Sequence, residues 1–149
     1  MFRCSSCGAF NRVQQPSPKG QPGCGRCHQR LDVTGAPQAV HGEALWRTVM
    51  TSPVPILLDL WAPWCAPCRA VAPILDAVGL THAGRLLVLK LDTQEDPQTA
   101  GQLGVRGIPT FLVFSGGHEV ARTSGLLPRA ELEHWVLAAM HAGTGVRAP

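Results

Sequence analysis

The nearly all-apolar run Val54-Pro55-Ile56-Leu57-Leu58-Asp59-Leu60-Trp61 leads straight into Ala62-Pro63-Trp64-Cys65-Ala66-Pro67-Cys68. Eight residues are too few for a membrane span, and the run reads as a central strand covered on both faces. Beyond Cys65 the pattern turns helical from about Ala66 to Leu80, with Val71, Ile74, Leu75 and Val78 on one face. Pro73 falls inside that helix and should kink it. A strand that hands two cysteines to the start of a helix restricts the chain to an α/β layering. It also restricts the chemistry, because two thiols in such a turn can close into a disulfide and reopen. With Cys65 on the N-cap side, unpaired backbone N–H groups and the positive end of the helix dipole favour its thiolate. Pro67 lies just inside the helix, where a missing N–H costs least. Cys65 is therefore expected to attack, and Cys68, one turn on, to resolve.

The remaining pattern extends the same layering. Residues 43–50 fit a short amphipathic helix, 86–91 a buried strand and 96–103 a brief helix. Residues 110–114 and 119–123 read as strands joined at Ser115-Gly116-Gly117-His118, a hairpin signal. Pro128 opens a last helix over 131–142. A β-α-β opening, a hairpin and a closing helix predict a central mixed sheet flanked by helices, with this domain at 36–149. Residues 29–41 look like a connector, broken at Gly35 and Pro37.

Residues 1–35 have a different character. They are rich in Gly, Pro, Ser and Gln, and they cannot bury enough apolar surface to fold unaided. Cys4-x-x-Cys7 and Cys24-x-x-Cys27, sixteen residues apart, supply a staple. The spacing is that of a zinc ribbon, and four thiolates suit tetrahedral, structural zinc. Gly8 and Gly25 would ease the two turns, and His28 is expected to stay outside a full set of four sulfurs. This segment carries Arg3, Arg12, Lys19, Arg26 and Arg30 against Asp32, a charge of +4, while the other 114 residues sum to −1. A basic head raises the alternative of a zinc-dependent protein- or nucleic-acid-binding module. Only Phe2 and Phe10 offer it stacking surface, so nucleic acid is not expected. Apolar residues at 45% and charged residues at 15% exclude a disordered chain. No run is long enough to span a membrane, and no apolar h-region follows Met1, which points to the cytoplasm.

In combination these motifs resemble the thioredoxin family over residues 40–142. The resemblance rests on Trp61, the Trp64-Cys65-x-Pro67-Cys68 signature, Asp59 six residues before Cys65, Lys90, Gly107-Ile108-Pro109-Thr110 and Gly125. With the leading C-x-x-C doublet, the whole chain is similar to the bacterial thioredoxin 2 type. The resemblance implies the thioredoxin fold with a small zinc-ribbon-like segment at 1–35. It implies that Asp59 assists proton transfer at Cys68, and burial among Leu57, Leu58 and Leu60 should raise its pKa. Lys90 would partly offset that charge. Pro109 would be cis and turn the backbone of Ile108 toward a substrate, while Trp64 would cover the thiols or touch the substrate. Ala66, Pro67 and Gly125 complete the implied substrate-binding set. Ala66 departs from the family's usual glycine. The implied activity is protein-disulfide reduction by a cytosolic monomer without bound nicotinamide or flavin, recharged by NADPH-dependent thioredoxin reductase. A disulfide isomerase or oxidase is the alternative enzyme, and oxidation of the zinc thiolates a further possibility.

Overall fold

The computed structural model describes residues 1–14 and 20–145. Lys19 of the basic head and residues 146–149 of the predicted domain lie outside the described residues. The elements are β1 (Phe2–Arg3), β2 (Phe10–Asn11), β3 (Gln38–Ala39), α1 (Gly42–Thr51), β4 (Ile56–Trp61), α2 (Ala66–Thr81), β5 (Leu87–Asp92), α3 (Pro97–Gln102), β6 (Thr110–Ser115), β7 (His118–Ser124) and α4 (Arg129–Gly145). Five strands form one mixed sheet in the order β3-β5-β4-β6-β7. β3, β5 and β4 run parallel, whereas β6 and β7 are antiparallel additions.

Side-chain alternation along the central strands divides the core into two layers. Ile56, Leu58 and Leu60 of β4 join Leu45 and Val49 of α1, Ala100 of α3 and Leu103 at the end of α3. Leu57 points the other way and joins Val71, Leu75 and Val78 of α2 with Leu132 and Val136 of α4. Both faces of β4 are thus apolar and covered, which is why it reads as an unbroken hydrophobic run. By the same parity, Asp59 shares the face of Leu57, beneath the helix that carries Cys68. α2 continues through Pro73 without a break in the helix.

The structure corrects the reading of 29–41 as a plain connector. Gln38 and Ala39 pair in parallel with Leu89 and Lys90 and form the edge of the main sheet. Two residues are too few to show any periodicity, so only the tertiary pairing reveals the strand. The connector also presses on α2. A Cβ built on Gly79 would lie 2.1 Å from the carbonyl oxygen of Gly35, so only glycine allows this crossing.

The head has a two-stranded sheet of its own, β1 with β2. It docks on the body through its first residues. Phe2 is buried, and its ring is close enough to Gly84 that a Cβ there would meet it at 3.0 Å. Arg3 donates through Nε to Thr48 Oγ1 at 3.1 Å and through Nη1 to Gln38 Oε1 at 2.8 Å, while Gln38 Nε2 donates back to the Arg3 carbonyl at 3.0 Å. Phe2 is therefore spent on packing and offers no stacking face.

Candidate active site

Cys65 is the N-cap of α2 and is joined to Cys68 by a disulfide, with the two Cα atoms 5.2 Å apart. The backbone N–H of Cys68 donates to Cys65 Sγ at 3.2 Å. That bond meets one of the orphan donors of the helix start and would favour negative charge on this sulfur when the pair is reduced. Ala66 and Pro67 form the first helical residues, where proline costs no hydrogen bond. Both sulfur residues are nearly buried, Cys65 at 4% exposure and Cys68 at 2%. Their difference lies in placement: Cys65 outside the helix, Cys68 within its first turn.

Trp64, directly before Cys65, is 67% exposed. Trp61 packs against Ala62 and the dithiol. The ammonium of Lys90 lies 4.4 Å from the centroid of the Trp61 ring, a cation–π contact. Asp59 pairs in register with Lys90 across β4 and β5. Its side chain is buried, and Oδ1 has no hydrogen-bond partner among the described residues. Burial pushes its carboxyl up to about 7, against an opposing pull from Lys90.

The facing wall is the segment before β6. Ile108–Pro109 is a cis peptide, as the resemblance implied, and the Ile108 carbonyl oxygen lies 4.0 Å from Cys65 Sγ. Gly125 donates its N–H to the Pro109 carbonyl at 2.9 Å, which brings it to the same wall. Several supporting residues were not foreseen. Arg69 Nη1 donates to the Pro63 carbonyl at 2.7 Å and ties the loop before Cys65 to α2. Thr93 holds the Trp61 carbonyl through its N–H at 2.8 Å and its hydroxyl at 3.1 Å. Thr110 Oγ1 donates to the Gly107 carbonyl at 2.6 Å and fixes the turn into Pro109. Only the position of Arg69, directly after Cys68, was a signal in the sequence.

The head gathers Cys4, Cys7, Cys24 and Cys27 so that their four sulfurs lie within 4.8 Å of one another. Cys4 to Cys27 is 3.6 Å and Cys7 to Cys24 is 3.7 Å. Sulfurs at about 2.3 Å from a tetrahedral ion are about 3.8 Å apart, so the set fits one metal ion. The two knuckles match closely. Gly8 N–H donates to the Cys4 carbonyl at 2.8 Å and His28 N–H to the Cys24 carbonyl at 2.9 Å. Both residues are left-handed, Gly8 at φ 81° and His28 at φ 66°. His28 is exposed. Gly25 needs no positive φ; its N–H instead donates to Asn11 Oδ1 at 2.9 Å, and Asn11 Nδ2 reaches Cys24 Sγ at 3.6 Å. Backbone N–H groups of Cys27 and Arg26 hold the Cys24 thiol down to about 6. For Cys27 the Gln29 N–H pulls downward, but burial and the neighbouring sulfurs push the thiol up to about 11. Four touching thiols cannot all ionise without a cation among them.

A disulfide-forming cysteine pair at the start of a helix, on a mixed sheet covered by helices on both faces, defines a thiol–disulfide oxidoreductase. The family model described as Thioredoxin matches residues 36–138. The chain belongs to the thioredoxin family. It is 37% identical over 133 residues to Thioredoxin C-3 of Corynebacterium nephridii, covering 89% of this chain and 90% of that one. It is 46% identical over 84 residues to Thioredoxin 1 of Nostoc sp., covering 56% of this chain and 78% of the relative. The solved N21Q mutant thioredoxin from Halobacterium salinarum NRC-1 superposes with a TM-score of 0.66 at 27% identity, over 73% of this chain and 95% of that one. Among the described residues no helix is long and apolar enough to cross a membrane.

Proposed function

We propose that this chain reduces protein disulfides. The Cys65 thiolate attacks one sulfur of a target disulfide and expels the other as a target thiolate. Cys68 then gives its proton to Asp59 and attacks Cys65 Sγ. The second target sulfur leaves, and the Cys65–Cys68 disulfide carries away the oxidising equivalent. The observation that carries this reading is the Cys68 N–H on Cys65 Sγ at 3.2 Å, which marks Cys65 as the sulfur suited to bear charge. Lys90 tempers the Asp59 charge, and Trp64, Ala66, Pro67, Ile108, Pro109 and Gly125 form the rim on which the target lies. Main-chain groups near Ile108, beside the sulfur, suit an extended target segment. Two electrons per cycle come back from an NADPH-dependent thioredoxin reductase, so the chain itself holds no nicotinamide or flavin.

Residues 1–35 form a separate zinc-clipped unit ahead of a 36–149 redox domain in this reading. A four-sulfur cluster suited to a metal ion, with none of its cysteines in a disulfide, fits a compartment where thiols are kept reduced, which supports the cytoplasm. One relative, from Chlamydomonas reinhardtii, is named a chloroplastic M-type thioredoxin. The insulin-reduction assay tests the core of the proposal. Cys65→Ser should abolish turnover, and Cys68→Ser should accumulate target-linked mixed disulfides. Full turnover in Cys65→Ser would remove the assignment.

A further inference from the structure

A cavity of about 530 Å³ opens in the seam between the four-cysteine head and α1. One wall is the first knuckle, Ser5 to Phe10; the other is α1 with Ala44, Arg47, Thr48 and Thr51. Arg3, Arg26, Arg47 and His41 border it, and no Asp or Glu does. The volume falls in the range of small-molecule sites.

Arg3 makes this a built site. It is 7% exposed, and its two hydrogen-bonded side-chain partners, Thr48 and Gln38, are both neutral. A guanidinium withdrawn from water normally meets an anion; the Cys4 and Cys7 sulfurs act on Arg3 through space, while its side-chain hydrogen bonds go to neutral acceptors. Its remaining nitrogen, Nη2, lies above Gly8 on the cavity wall, where an added Cβ would meet it at 3.7 Å. Arg26 anchors one nitrogen on the Cys7 carbonyl, which fixes its fork beside the same wall. Arg47 is held only by Glu43 at 3.9 Å, with both side chains well exposed, a pair of little strength.

The metal centre does not exhaust the charge at this recess: zinc with four thiolates would carry −2, and Arg3, Arg26 and Arg47 along the cavity carry +3. Three guanidinium forks around one recess suit an anion with several acceptor oxygens. Phosphate groups match the guanidinium fork best.

We propose that this seam binds a small polyphosphate anion, either free pyrophosphate or the phosphate end of a nucleotide, through Arg3, Arg26 and Arg47. The site is separate from the dithiol and independent of the disulfide-reducing reaction. The test is calorimetric titration of the zinc-loaded full chain with pyrophosphate, ATP and adenosine, with zinc content measured afterwards. Saturable 1:1 binding of pyrophosphate, with none of adenosine, is expected. ATP binding as well assigns the nucleotide as source, and its exclusion assigns the free anion. Arg47→Gln should weaken binding roughly tenfold. Ser6→Glu, which places a negative charge on the exposed rim, should abolish it. Both variants should keep their zinc and their rate of insulin reduction. Absence of saturable pyrophosphate binding, or equal affinity in parent and both variants, would overturn the proposal.

Discussion

Asp59 and Lys90 stand opposite each other across β4 and β5, on the sheet face that α2 covers. The carboxylate is buried with one oxygen unpartnered, while the ammonium rests on the Trp61 ring. The acid is thus kept short of hydrogen bonds beneath α2, and a pKa of about 7 fits the proton exchange proposed for it near neutrality.

That placement has a cost visible in the pH dependence of stability. The folded chain keeps the Asp59 proton up to about 7, whereas the unfolded chain releases it near 3.8. Between those values the folded state binds more protons, so this group's share of stability is whole at low pH and falls as pH rises through 7. The ionised form carries a penalty of roughly 4 kcal/mol. Asp59→Asn should therefore be more stable than the parent at pH 8, by roughly 2–4 kcal/mol, and slower in insulin reduction. Urea unfolding of the oxidised proteins from pH 4 to 9 measures it; parallel curves for parent and variant would refute it.

Gly79→Ala tests the crossing of the connector over α2. In an open helix this change gains about 1 kcal/mol. Here the new methyl would sit 2.1 Å from the Gly35 carbonyl oxygen, and backbone must move. A net loss of about 2 kcal/mol or more in urea unfolding is expected. A gain would mean that the two backbones are not in contact in solution.

Metal removal should affect the two units unequally. The buried centre of the head is Cys4, Cys24 and Leu31, too small to hold together without an ion. Stripping one zinc per chain, or Cys24→Ser, should make residues 1–35 sensitive to protease while the 36–149 domain keeps most of its insulin reduction. Limited proteolysis followed by mass spectrometry reads both. A head that stays resistant without metal would contradict it.

His28→Gly should help the metal site. A side chain in a left-handed backbone costs about 1–2 kcal/mol, and the matching position in the first knuckle is already Gly8. Slower zinc loss to a chelator is the expected outcome. Faster loss would show that the imidazole supports the metal.

Much of this architecture is legible in the chain. The apolar run 54–61 and the 3.6-residue spacing of Val71, Leu75 and Val78 place the strand, the helix and the dithiol between them. The C-x-x-C doublet places the metal cluster. What escapes reading depends on contacts far apart in sequence. β3 exists only because Gln38 and Ala39 meet Leu89 and Lys90. Arg69 and Thr93 matter because they bond the carbonyls of Pro63 and Trp61 ahead of Cys65; Arg69 at least follows Cys68 directly, whereas nothing beside Thr93 marks it. Asn11 reaches Cys24 across the head in the same way. The exposure of Trp64 is decided by packing rather than by residue type.

The helix that begins at the dithiol is crossed by the head's connector at Gly79, fourteen residues further on, about 21 Å along the axis. The crossing at Gly79 and the dithiol thus occupy opposite ends of a single rod. In the proposed reaction, an oxidised protein approaching the sulfur end would leave that backbone-to-backbone crossing untouched.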